Sequence, residues 1–248
     1  RDLAYTIDKC KKGRNIIILG EDQKLYFEQL KHALILLKKP CPEAVHYSFV
    51  LIKGKGKMST RSGEVVLLEE LLKEALKKAK SEIKKRKTKG DAMKIAIAAI
   101  KYSMLKNDND KNILFDMDSS LNFEGDTGPY LQYSYARANS ILKKVSIAKK
   151  KNSSEEKIEI PNLTEEEIKL AKKITGFPAI VKEAGKTLSP SLLANYSFHL
   201  AQLFNEFYHA CPVIGNKEEA FRIKLVESFK ITIKNALYLL GIDVMAEM

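Results

Sequence analysis

The sequence predicts an α/β segment followed by an all-α segment. Two observations carry this. Residues 15–19 and 45–52 are short apolar stretches rich in β-branched residues, separated by a helical period, which is the strand–helix–strand pattern of a parallel sheet. After Val66 the apolar residues recur at helical spacing and continue so to the end of the chain.

Taken in order, Asn15, Ile16, Ile17, Ile18 and Leu19 run into Gly20, a stretch that suits a strand buried on both faces of a parallel sheet. Leu25, Leu30, Leu34 and Leu37 then predict a helix over 24–37, stopped by Pro40 and Pro42. Val45, Tyr47, Phe49 and Leu51 alternate, which predicts one strand over 45–52. Residues 107–120 are polar and read as a loop at a domain border. A helix over 130–145 follows, then a polar loop over 149–162. Thr164 with Glu167 three residues later is a capping box that opens the next helix. Ser189 and Pro190 cap a long helix running through Tyr208. The last helix, over 218–240, is stopped by Gly241.

The 248 residues carry 43 Lys+Arg against 31 Asp+Glu, a net charge of +12. An excess of that size suits a polyanionic partner such as RNA, DNA or an anionic surface. Residues 73–94 hold ten basic residues against three acidic ones, a net of +7. That run reads either as a solvated helix face or as a phosphate contact. No stretch approaches the run of roughly 20 apolar residues that a membrane helix needs, and no membrane partner is expected. Cys10, Cys41 and Cys211 are scattered, as are the four histidines, so no protein-bound metal is expected. A reduced cytoplasmic compartment fits them.

Four segments could carry chemistry. Gly20-Glu21-Asp22-Gln23 follows a strand, where parallel α/β sheets bind ligands; Asp22 can accept from a ribose hydroxyl. The same residues also suit a plain helix start, with acidic side chains favoured by the dipole. Lys53 to Gly63 is rich in glycine and cations, and such a loop can close over a triphosphate with Lys57 and Ser59 donating to phosphate oxygens. It is not a P-loop, because Met58 follows Gly56-Lys57, and a basic surface loop has the same composition. In the third segment, Tyr130, Tyr133 and Arg137 share a helix face, as a stacking platform for unpaired bases would, or as a core stripe would. The fourth, residues 204–211, reads by default as core packing.

The order of these segments resembles the arginyl-tRNA synthetases, class I aminoacyl-tRNA synthetases, in their archaeal or eukaryotic form. The residues that carry the resemblance are Arg1-Asp2-Leu3-Ala4-Tyr5, Gly20 to Leu25, Lys57-Met58-Ser59-Thr60-Arg61, Phe123-Glu124-Gly125, Thr127-Gly128-Pro129-Tyr130-Leu131-Gln132-Tyr133, and the ending from Leu240 to Met248. Thr60 stands where the family's KMSK signature has its second lysine. The resemblance implies a fold with the second half of a Rossmann-type catalytic domain over 1–120, then a helical-bundle anticodon-binding domain over 121–248. It also implies ATP-dependent activation of L-arginine and its transfer to tRNA(Arg), with ATP bound together with Mg2+. Asp2 and Gln23 are the implied arginine ligands, and Asp22, Lys57, Met58 and Ser59 the implied ATP contacts, with Lys57 and Ser59 catalytic. Tyr130, Tyr133, Arg137, Tyr208 and Met248 match positions that contact anticodon bases. The family's HIGH-type motif is not found around any of the four histidines. The chain is therefore expected to be a fragment, with the N-terminal part of the same enzyme as a partner. Two rival functions are a non-catalytic tRNA- or RNA-binding paralogue of the same fold and an unrelated nucleotide-binding α/β enzyme with a helical appendage. Asp2, Gln23 and the Lys57 loop speak against the first, and the helical half against the second.

Overall fold

A computed structural model of the chain describes residues 1–54, 66–149 and 162–248; the side chains of 147–149 are outside the description. The described residues form two compact units. One takes the residues up to Gly54 with Asn107–Phe115, and the other takes the helices from Leu68 to Lys106 with Asp116–Met248.

The first unit starts with α1 (Asp2–Cys10), followed by β1 (Ile16–Gly20), a single 3-10 turn (Glu21–Gln23) and α2 (Lys24–Leu36). Then come β2 (Glu43–Tyr47), β3 (Val50–Ile52) and, after the long excursion, β4 (Ile113–Phe115). β1 pairs in parallel with β2, Gly20 opposite Tyr47, and β3 pairs in parallel with β4, Ile52 opposite Phe115. Phe27, Leu30 and Leu34 form the buried face of α2.

Three expectations change here. The strand expected over 45–52 is broken at Ser48 and Phe49, which bond to the 109–112 segment instead of continuing one ladder. That segment, expected to be loop, supplies β4. β1 is not buried on both faces: Ile16 and Ile18 remain exposed, because no described element covers their side of the two-stranded sheet.

The second unit is helical: α3 (Leu68–Arg86), α4 (Ala92–Leu105), the short α5 (Met117–Ser120), α6 (Gly128–Lys149), α7 (Glu165–Thr175), α8 (Phe177–Thr187), α9 (Pro190–Ala210) and α10 (Glu219–Leu239). α6, α7, α9 and α10 enclose the core, where the Phe204 and Phe229 rings stack at 3.8 Å. Gly128 opens α6 against the backbone of α4. A Cβ there would lie 2.2 Å from the Ala98 carbonyl oxygen, so only glycine permits this approach. At the other end of the chain Gly241 takes φ +66 and closes α10: its N–H donates to Tyr238 O, and Ile242 N–H to Leu237 O. Ser189 precedes α9 without capping it by its side chain, whose hydroxyl donates to Thr187 O, and Pro190 at the first turn does the starting. No described helix is long and apolar enough to cross a membrane.

The capping box at α7 is present in full, Thr164 accepting from the Glu167 N–H and the Glu167 carboxylate accepting from the Thr164 N–H. Glu167 has a second task. It is fully buried, and its other oxygen accepts from Arg222 Nε at 2.7 Å, while Arg222 Nη1 donates to Pro212 O. The Glu167–Arg222 pair thus joins the start of α7, the turn before α10 and α10 itself. In Glu167→Ala the buried guanidinium loses its close, buried partner and keeps only the Glu218 carboxylate at 3.9 Å, so urea unfolding should show a loss toward the lower end of about 3–5 kcal/mol. Thr164→Ala removes only a cap and should cost about 1 kcal/mol. Equal losses would mean that the cap alone matters.

Candidate functional site

At the carboxyl ends of β1 and β2 lies a cleft of about 330 Å³, lined by Gly20, Glu21, Asp22, Tyr47 and Ser48 with residues of β3. Ligands of parallel α/β sheets bind at such strand ends. Gly20 has no Cβ, and the Asp22 carboxylate folds back into that space: a Cβ would lie 2.5 Å from Asp22 Oδ1. Asp22 is exposed and so open to a hydroxyl donor. The neighbouring Glu21 is already engaged. It accepts from Ser48 Oγ at 2.7 Å and from Lys24 Nζ at 3.1 Å, and these bonds, Ser48 first, hold its carboxyl below the ordinary glutamate value.

Asp2 sits in the first turn of α1 and is exposed; its Oδ2 accepts from Tyr26 OH at 3.1 Å. Desolvation first, and this bond second, raise the Tyr26 pKa above the ordinary phenol value. Gln23 stands at the N-cap position of α2 without a side-chain capping bond, one turn before Tyr26, at the i, i+3 spacing that places the two on one face. Asp2 and Tyr26 are therefore brought together, with Gln23 on the adjoining turn. Lys57, Met58 and Ser59 lie outside the described residues.

The helical unit holds the second constellation. Arg137 on α6 lies over the Tyr133 ring at 4.8 Å and over the Tyr208 ring of α9 at 5.0 Å. Its Nη2 donates to Tyr133 OH at 3.1 Å, and its Nη1 donates to Asn205 Oδ1. The Asn205 amide in turn donates to Tyr130 OH at 2.8 Å, to Ser134 Oγ and to Ala201 O. Tyr130 is half-buried against Phe198, and burial raises its hydroxyl pKa. Tyr133 is half-buried, and Tyr208 is 39% exposed. Among the described residues Arg137 forms no ion pair with a carboxylate, so its charge is balanced only by ring faces and an amide. Two partly open rings and an uncompensated guanidinium can stack on unpaired bases and attract the adjoining phosphates.

Residues 204–211 divide between two tasks. Phe204 and Phe207 are fully buried, as expected of core packing, while Asn205 and Tyr208 join the tyrosine–guanidinium cluster. Met248 belongs to a tail held on a different face of α6. Gln132 donates to Asp243 O, Asn139 to Ala246 O, and Lys143 pairs with Glu247. Those three positions lie about 80–180° around the helix from Tyr133, Arg137 and Tyr130, by a step of about 100° per residue. The sequence reading missed Asn205, Ser134, Tyr26 and Ser48. For Asn205 a signal existed: an amide is a poor choice between Phe204 and Phe207 in mid-helix unless it has a partner. Among the described residues no group of three or more His, Cys, Asp or Glu is placed to hold a metal ion.

Two family models match. "tRNA synthetases class I (R), catalytic domain" covers residues 1–117, and "DALR anticodon binding domain" covers 131–248. The chain is 38% identical over its whole length to the arginine–tRNA ligase of Clostridium acetobutylicum, of which it spans 44%. It is 38% identical over 98% of its length to that of Methanocaldococcus jannaschii, of which it spans 43%. Identity is thus equal for a clostridium and a methanogen and favours neither branch. Among solved structures, Thermus thermophilus arginyl-tRNA synthetase superposes with TM-score 0.83 at 31% identity, covering 95% of this chain and 41% of that one. Arginyl-tRNA synthetase from Plasmodium falciparum does so with TM-score 0.74 at 26% identity, covering 94% and 41%.

The Glu21 anchor is testable on its own. In Ser48→Ala the carboxyl loses the larger of the two bonds that favour its charged form, so its pKa should rise toward the ordinary value. An NMR titration of the Glu21 side chain reads this; an unmoved midpoint would mean that Lys24 alone holds it.

Proposed function

The chain belongs to the arginyl-tRNA synthetase family, and from that premise we propose that it supplies part of an arginine–tRNA ligase. The reaction proposed is activation of L-arginine by ATP, with Mg2+ as the nucleotide's counter-ion, followed by transfer to tRNA(Arg) in the cytoplasm. The chain spans less than half the length of the curated relatives it matches. The division of labour proposed is a catalytic part over 1–120 and an anticodon-binding part over 121–248.

In this reading the Asp2 carboxylate, held by the Tyr26 hydroxyl, receives the guanidinium of arginine, and Gln23 on the neighbouring turn bonds the same substrate. A carboxylate facing a guanidinium is a strong charge-assisted contact, and it discriminates against uncharged side chains. Asp22 at the end of β1 accepts from the ATP ribose. Lys57 and Ser59, with Met58 between them, cover the phosphates and donate to the oxygens that gain charge as pyrophosphate leaves. Tyr130, Tyr133, Arg137 and Tyr208 read the unstacked anticodon bases, with Met248 at the end of the tail as a further contact.

The observation that carries the proposal is the Arg137 guanidinium between the Tyr133 and Tyr208 rings, on a surface that leaves both rings partly open. A core stripe would have buried them. Tyr133→Ala should weaken binding of tRNA(Arg) by about 1–3 kcal/mol, the worth of one stacked base. A core tyrosine would instead cost roughly 3–5 kcal/mol of stability. Melting temperature and affinity for cognate and non-cognate tRNA are measured together. A stability collapse with no separate loss of cognate preference refutes the platform.

The arginine site is tested by Asp2→Asn, in an assay where the chain is fused to, or mixed with, the preceding half of a relative. The Michaelis constant for arginine should rise at least tenfold while that for ATP hardly moves. An unchanged arginine dependence removes Asp2 from the pocket.

A further inference from the structure

The last residues, 241–248, are held by side chains of two helices rather than by their own backbone. Gln132 of α6 is fully buried, and its Nε2 donates to Lys94 O of α4 at 3.2 Å and to Asp243 O at 2.7 Å. Two turns on, Asn139 Nδ2 donates to Ala246 O at 2.8 Å, and one turn further Lys143 pairs with Glu247 at 2.7 Å. From α4, Lys101 donates to Gly241 O, and Lys94 pairs with Asp243 at 3.5 Å. Among the described residues no N–H from Asp243 to Met248 donates to a protein acceptor. The spacing fits a drawn-out chain. Seven residues of α6 rise about 10.5 Å, and three extended residues span about 10 Å. The anchors at 132 and 139 therefore match the carbonyls of 243 and 246 in one register, and only Met248 lies beyond the last anchor.

Ile242 and Met245 are buried, and this accounts for the tail lying on the bundle. It does not account for Gln132. Apolar contact is non-directional, and an apolar side chain at position 132 would cover the same surface. Burying an amide costs free energy unless it is bonded, and among the described residues the Gln132 Oε1 meets no donor. What the amide adds is direction. It ties one carbonyl, that of residue 243, to one point on α6, and its second bond ties the same point to α4. A slip of the tail by one residue would lose that bond and move the chain end by about 3.4 Å.

We propose that Gln132 is a positioning residue for RNA binding. It touches no RNA itself. It fixes the register of the tail, with Asn139 as the second anchor, and so sets where Met248 meets the RNA. This rests on the reading of Met248 as an RNA contact and adds to it the side chain that determines where that contact stands. A buried amide bonded to a main-chain carbonyl suits the task, because it holds the tail whatever side chain residue 243 carries, and it selects one register where apolar packing would accept several.

The variant is Gln132→Met, which keeps the length of the side chain and removes both donors. It is measured in the full chain and in a chain ending at Glu247, which lacks Met248 and keeps every anchor. The readouts are melting temperature and affinity for tRNA(Arg) and for a non-cognate tRNA. In the full chain Gln132→Met should weaken tRNA(Arg) binding by about three- to tenfold, the worth of one hydrogen bond, with a smaller loss on the non-cognate tRNA. In the chain ending at Glu247 the same substitution should change the affinity by less than about 1.5-fold, because two changes that act through one contact do not add. The control is Thr164→Ala, which weakens a helix start elsewhere in the bundle; it should lower the melting temperature and leave both affinities in place. An unweakened Gln132→Met chain, an equal loss with and without Met248, or an equal loss in Thr164→Ala would each overturn the proposal. If removing Met248 alone leaves the affinity unchanged, the Met248 contact is refuted and the proposal falls with it. A loss on removing Met248 with none in Gln132→Met refutes the positioning role alone. If Gln132→Met does not fold by circular dichroism, Asn139→Ala is carried through the same two chains and judged by the same criterion.

Discussion

The helical unit depends on one close approach. Gly128 lets the start of α6 lie against the backbone of α4 at Ala98, closer than any side chain would permit. With that distance set, α6 presents its faces to different neighbours. The Gln132, Asn139 and Lys143 face receives the tail, the buried face with Leu131 and Ala138 enters the core, and the Tyr133–Arg137 face meets α9. The turn before it is arranged for the same end. Gly125 takes φ +84, the Thr127 hydroxyl accepts from Tyr130 N–H, and Asp126 accepts from Tyr102 OH of α4. A larger residue at position 128 would push α6 from α4 and move the tail and the tyrosine cluster with it.

Local features were legible in the sequence and non-local ones were not. The capping box at Thr164 and Glu167 spans four residues, and so it could be read directly. The buried pairing of that glutamate with Arg222 joins positions 55 apart, and nothing in either neighbourhood marks it. The strand break is similar. Alternation runs unbroken through Ser48 and Phe49, but the partners that take these residues, Asn109, Asp110 and Asn112, lie some sixty positions on. β4 was hidden for a related reason. Its three residues, Ile113–Phe115, sit inside a polar stretch too short to show a period.

At the candidate site the spacing of Tyr130, Tyr133 and Arg137 was enough to place them on one face, but not to say what holds them there. Asn205 does. Its carbonyl accepts from Arg137, and its amide donates to the Tyr130 hydroxyl, so the guanidinium and the half-buried ring are fixed relative to each other across two helices. The charge logic follows. A carboxylate in place of the amide would neutralise Arg137 and compete with any phosphate that approached. An amide orients the cation while leaving its charge for a ligand.

The same logic separates the two surfaces of the helical unit. At the tyrosine cluster one cation is held rigidly, by two rings and an amide, at a place where its plane can lie against a base. Rigid planar groups discriminate, because a base of the wrong shape or a different loop conformation loses stacking. On α3 the exposed lysines Lys73, Lys77, Lys80 and Lys84 pair with no carboxylate among the described residues, and such long flexible side chains attract charge but cannot fix an orientation. A guanidinium would be the better choice if α3 had to recognise a base edge, and a lysine the poorer choice if the cluster had to stack. Under the proposed function, loosely held cations would supply attraction and the rigid cluster would supply choice. Charge attraction would then fade with salt while stacking persists, so preference for one RNA over another would survive ionic strength better than affinity does.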